Sequence, residues 1–98
     1  MDLAEEVYLV SSRFPKQETY GITGQLRRSV VSVPANIAEG AERPGPRQFV
    51  QFLGVASGSL AEAETLLMLA SRLGFADSIR IQHLLDQAGD IGRMINGL

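Results

Sequence analysis

The chain contains neither cysteine nor tryptophan and has a single histidine. Without thiols, a disulfide framework and a thiolate metal site are both excluded, and a reducing compartment is the matching environment. The lone histidine, His83, has Arg80 three residues before it. The paired Glu-x-x-His motifs that a di-metal carboxylate bundle needs are therefore missing, and His83 reads as a surface residue. There is no Gly-x-Ser-x-Gly elbow for a nucleophilic serine. Arg43-Pro44-Gly45-Pro46-Arg47 holds one glycine and no Lys-Ser/Thr pair, so it is no phosphate-binding loop. Asp86 and Asp90, one helical turn apart, read as a solvated acidic face. The sequence thus yields no catalytic, cofactor-binding or metal-binding residue, and the expectation is a protein without enzymatic activity.

Charge of one sign is also lacking. Nine basic residues face eleven acidic ones, for a formal charge of −2 and a pI near 5.3. That balance speaks against a strongly electrostatic nucleic-acid binder while leaving room for a local basic patch. No apolar run is read as reaching spanning length, and the opening MDLAEEVYLV is acidic where a signal peptide would be basic. The expectation is a soluble cytoplasmic protein with no membrane partner. Period-two alternation is absent too, which leaves no candidate strand.

What is present is helical periodicity over one domain, residues 1–98. The first helix is predicted over Asp2–Arg13, with Leu3, Val7, Val10 and Phe14 on its stripe, an Asp2/Glu5 capping box and Pro15 as its stop. A polar linker, Pro15–Gly21, precedes a second helix with Thr23 as N-cap and Leu26, Val30, Val33 and Ile37 inward. After a break at Gly40–Gly45, Pro46 opens a third helix running to about Leu73. Its stripe is Phe49, Leu53, Ala56, Leu60, Ala63, Leu67 and Ala70, and Gly74 is its C′ residue. Asp77 caps the fourth, with Ile81, Leu84, Leu85, Ala88, Ile91, Ile95 and Leu98 inward. Short connections favour antiparallel neighbours, so the fold class is all-α, an antiparallel up-and-down four-helix bundle.

Two features point beyond one copy. Leu66–Leu69 is apolar around more than one face, which suits a subunit interface. Gly54 and Gly58, one turn apart, each cost helix propensity relative to alanine. Their nearest explanation is close packing against Ser29, Ser32 and Asn36 of the second helix.

Pro34 stands inside a helical pattern, where it removes a backbone hydrogen bond and should bend the helix near Val30. Asn36 and nearby hydroxyls are placed to satisfy the freed groups. Arg28, Ser32, Ala35 and Glu39 form a polar stripe opposite the second helix's core face. Of the basic residues, Arg13, Lys16, Arg72 and Arg93 lie at helix C-terminal ends, where the dipole favours cations. Arg27, Arg28, Arg43 and Arg47 are the candidates for phosphate or interface contacts. The alternative role of Arg27 and Arg28 is pairing with Glu39, Glu62 or Glu64.

Tyr20-Gly21-Ile22-Thr23, the Arg27-Arg28 pair and Ser32-Val33-Pro34-Ala35-Asn36-Ile37-Ala38-Glu39-Gly40 together form a specific pattern. With Phe49-x-x-Phe52-Leu53, Gly58-Ser59-Leu60-Ala61-Glu62-x-Glu64-Thr65 and Arg72-Leu73-Gly74, it closely resembles the four helix bundle protein family. That family is encoded in intervening sequences of 23S rRNA genes, is sometimes labelled ribosomal, and includes the accessory protein of diversity-generating retroelements. The resemblance implies a homo-oligomer, a ring of five. For the retroelement members it implies partnership with a reverse transcriptase and binding of RNA or DNA. Arg27, Arg28, Pro34, Asn36, Glu39, Gly40, Glu62 and Glu64 carry the signature. Three departures are visible: the chain is mildly acidic where the retroelement members are basic, and prolines dilute the loop after Gly40. Its opening also matches the middle of the family's first helix, which is then expected to be short. The two functional expectations are an oligomeric scaffold that binds nucleic acid, and a protein–protein interaction module that does not.

Overall fold

A computed structural model describes residues 2–98. Four helices, α1 (Asp2–Ser11), α2 (Ile22–Ala41), α3 (Pro46–Arg72) and α4 (Ser78–Asn96), account for most of the chain, with a single 3-10 turn at Lys16–Glu18 and no strand among the described residues. Each helix packs on the next, and α1 closes the circuit against α4, which is the arrangement of a four-helix bundle. Neighbours run antiparallel where side chains mark the register. Ser32 of α2 meets Ser59 of α3, Gly40 lies against Phe52, and Glu6 of α1 meets Gln87 of α4.

The predicted stripes form the core. Leu3, Val7, Phe14, Leu26, Val30, Val33, Leu53, Ala56, Leu60, Ala63, Leu67, Ala70, Ile81, Leu84, Ala88 and Ile95 are buried, and Leu66 joins them. Phe49, Leu85 and Ile91 pack at the margin. Leu98 does not face inward as expected: it follows the end of α4 and is 68% exposed.

α1 stops two residues earlier than predicted. Ser11 Oγ donates to Tyr8 O at 3.3 Å and Ser12 Oγ to Leu9 O at 2.6 Å, taking over carbonyls of the last turn. Arg13 N and Phe14 N then bond three residues back, tightening the chain before Pro15. At 10 residues it is the shortest helix. Asp2 is already helical, and the residue before it lies outside the described residues.

The start of α2 also differs from the sequence reading. Gly21 occupies the N-cap position and supplies no side-chain bond. Glu18 serves instead, its Oε1 accepting from Ile22 N at 3.4 Å. A Cβ on Gly21 would lie 2.7 Å from that oxygen, so the glycine makes room for the carboxylate. Thr23, the predicted cap, is inside the helix and buried, and its hydroxyl has no hydrogen-bond partner.

The ends of α3 and α4 follow their local chemistry. Gly74, at φ +76°, is the left-handed residue that terminates α3. Its N–H donates to Ser71 O at 3.0 Å and that of Phe75 to Ala70 O at 2.9 Å, the paired bonds of a Schellman motif. Asp77 caps α4 by accepting from Ile79 N at 3.2 Å.

α3 sets the shape. Its 27 residues extend about 40 Å at the helical rise, close to the 44 Å long axis of the molecule. An 18-residue window of α3 reaches a mean hydropathy of 1.3, enough by length and composition to cross a membrane, which departs from the expectation that no apolar run reaches spanning length. Leucine, valine and phenylalanine raise the average, and the polar residues between them keep any apolar run short. Only 28% of that window is buried.

Candidate interaction surfaces

The family motif explains itself first as packing. Asn36 Nδ2 donates at 2.8 Å to both the carbonyl and the hydroxyl of Ser32, and Ser32 Oγ lies 2.8 Å from Ser59 Oγ on α3. Asn36 therefore serves the Ser32 carbonyl, rather than the Val30 carbonyl that Pro34 leaves free, and ties α2 to α3 through the two serines. α2 continues as helix through Pro34. Gly40 is buried where the two helices converge. A Cβ there would lie 2.8 Å from Phe52 Cβ and 3.1 Å from Phe49 Cδ1. Arg28, Ala35 and Glu39 are exposed along the predicted polar stripe.

The four candidate arginines divide into two pairs by environment. Arg27 is half-buried and spent on α1: Nε donates to Ser11 Oγ at 2.9 Å, Nη2 to Tyr8 O at 3.2 Å, and the guanidinium lies 4.7 Å from the Tyr8 ring centroid. Arg43 pairs with Glu39 at 2.6 Å and lies 5.1 Å from the Phe52 ring centroid. Arg28 and Arg47 are exposed, and neither forms an ion pair among the described residues. Arg28 borders a shallow polar depression with Ser32, Ser59 and Glu62, but it makes no salt bridge to Glu62, and Arg27 pairs with no acid. The expected pairing of Arg27 and Arg28 with Glu39, Glu62 or Glu64 is therefore not formed, and Glu39 pairs with Arg43 instead. Arg28 and Arg43 are separated by about 20 Å along α2, so the four do not converge within one chain.

Several other charges have local partners. Arg80 reaches Glu6 at 3.4 Å, Arg93 pairs with Asp90, and Asp86 accepts from Gln82. His83 is exposed. Among the described residues no group of three His, Asp or Glu could hold a metal ion.

Gly54 and Gly58 contradict their sequence-based explanation. They do not pack on Ser29, Ser32 or Asn36; Ser59 takes that position, and a Cβ on either glycine would find nothing within 4 Å. The core stripe at 53, 56, 60, 63 and 67 turns both glycines outward. Ala61 and Thr65 follow them along the same exposed ridge, flanked by Val50 and Val55. Residues 48–61 carry no charge. The Leu66–Leu69 band splits: Leu66 and Leu67 belong to the core, while Met68 and Leu69 are 47% and 41% exposed and extend the ridge.

Fold and motif together define a small helical protein whose recognisable residues build a helix–helix contact. The chain belongs to the 23S rRNA-intervening sequence protein family, whose model matches residues 1–97. A crystallised protein of unknown function from the S23 ribosomal protein family of Bacteroides thetaiotaomicron has the same fold, with a TM-score of 0.77 at 19% identity, over 95% of this chain and 94% of that one. No curated protein matches the chain.

Proposed function

We propose that this protein is a non-enzymatic scaffold that assembles with itself and presents repeated surfaces to a macromolecular partner in the cytoplasm. The observation that carries this reading is the outer ridge of α3. A solvated helix face normally carries charge, whereas this one is uncharged over residues 48–61 and holds two glycines with open space above them. Each glycine costs about 1 kcal/mol of helix stability relative to alanine. Inside the chain nothing offsets that cost, whereas a second helix approaching closely would. Val50, Val55, Met68 and Leu69 add exposed apolar area beside the glycines. The family resemblance implies a closed ring of five copies, and a head-to-tail contact that closes on itself is one geometry such a ridge supports. Light scattering on the purified chain tests the assembly; a mass equal to one chain at every concentration refutes it.

The partner in this reading is a protein, since Arg27 and Arg43 are already engaged within the chain. A reverse transcriptase, the partner in the retroelement members, is one candidate. RNA or DNA binding is the second reading, favoured by the exposed and unpaired Arg28 and Arg47. Repeated around an assembly, two weak contacts per copy gain avidity. Fluorescence anisotropy with RNA and DNA across a salt series separates the readings. Binding that falls steeply with salt and is lost in Arg28→Ala/Arg47→Ala supports the second. No binding at low salt supports the protein partner.

A further inference from the structure

A half-open groove of about 530 Å³ lies between the last turn of α1 and the α3–α4 connection. Its wall is apolar: Leu9, Val10, Phe75 and Ala76. Arg13 and Arg80 stand at its rim. The volume falls in the range of small-ligand sites, roughly 300–1,000 Å³.

The groove is built before any ligand arrives. Phe75 is fixed by its backbone bond to Ala70 and by its ring, 5.8 Å from that of the buried Phe14. The electrostatics favour an anion. Arg13 has no acidic partner among the described residues, and Arg80 is 40% exposed, held only by the 3.4 Å contact to Glu6. The one carboxylate in the lining, Asp77, is turned to the N–H of Ile79.

We propose that this groove binds an amphipathic carboxylate, an unbranched apolar chain of medium length ending in one negative charge. The chain lies on Leu9, Val10, Phe75 and Ala76, and the carboxylate sits between Arg13 and Arg80. A nucleotide would set a polar base against four apolar side chains, and a neutral hydrocarbon would leave the guanidinium groups unanswered. The tail has somewhere to go. A shallower groove, sharing Leu9 and Ser12 with the first, continues along α1 past Tyr8 and Glu5 to Ala4.

Titration with decanoate below its micellar concentration, followed by backbone amide NMR shifts, tests this, with decanol as the uncharged twin. Saturable shifts confined to residues 9–13 and 75–80, with decanoate binding roughly tenfold or more tighter than decanol, are expected. Arg13→Ala/Arg80→Ala should lose that preference while its melting temperature stays near that of the parent. Absence of saturation, shifts spread over the bundle, or decanol binding as tightly as decanoate would overturn the assignment. Should the double variant fail to fold, the comparison of the two ligands on the parent protein decides alone.

Discussion

Single residues of the signature hold this fold together by proximity rather than by chemistry. Gly40 lets α2 and α3 converge, so Gly40→Ala must push a methyl group against Phe52 and Phe49. Overpacking of that kind costs about 1–3 kcal/mol, and urea unfolding should show the midpoint fall accordingly; an unchanged midpoint would mean the hairpin end relaxes freely. Arg27 acts similarly, as a clamp from α2 to α1. Arg27→Ala removes two hydrogen bonds and a stacked cation, and should destabilise by about 1–3 kcal/mol while leaving any salt-dependent nucleic-acid affinity unchanged. A loss of affinity without a loss of stability would restore Arg27 to the surface role. Sequence could single out Gly40 and Arg27 but could not distinguish a clamp from a contact, because Tyr8 and Ser11 lie far away in the chain. The same distance hid the Ser32–Ser59 bond, which makes Asn36 a link between helices.

Helices were far more legible than their ends. Stripes such as Leu53, Ala56, Leu60 and Ala63 are decided by burial, which dominates helix formation in a packed domain, and they stand where the spacing puts them. The stop at Gly74 and the start at Asp77 rest on backbone requirements that few residues meet, and they too could be read. The starts of α2 and the end of α1 depend on side chains competing for backbone groups, Glu18 at one and Ser11 with Ser12 at the other, and nothing in the local pattern ranks those competitors. Gly54 and Gly58 were misplaced by assuming that a costly residue must have an intrachain reason, although the stripe itself rotates them away from the core. Their exposure makes a paired prediction for α3. Gly54→Ala and Gly58→Ala should each raise the stability of the isolated bundle by about 0.5–1 kcal/mol through helix propensity. Both should weaken self-association, so thermal stability at low concentration and assembly at high concentration should move in opposite directions. Parallel movement would remove the ridge from the interface.

For the molecule as a whole, the account rests on an imbalance. A chain with a net charge of −2 forms three ion pairs among the described residues, yet leaves the outer ridge of its longest helix uncharged. That ridge, rather than any constellation of reactive groups, is what the architecture displays. The most direct test is the molar mass in solution, by sedimentation equilibrium, of the parent chain beside Gly54→Leu/Gly58→Leu. The account predicts a parent mass that is a multiple of 10.6 kDa and a folded double variant shifted toward a single chain. A parent that stays at 10.6 kDa across the concentration range, or a double variant that assembles as fully as the parent, would contradict it.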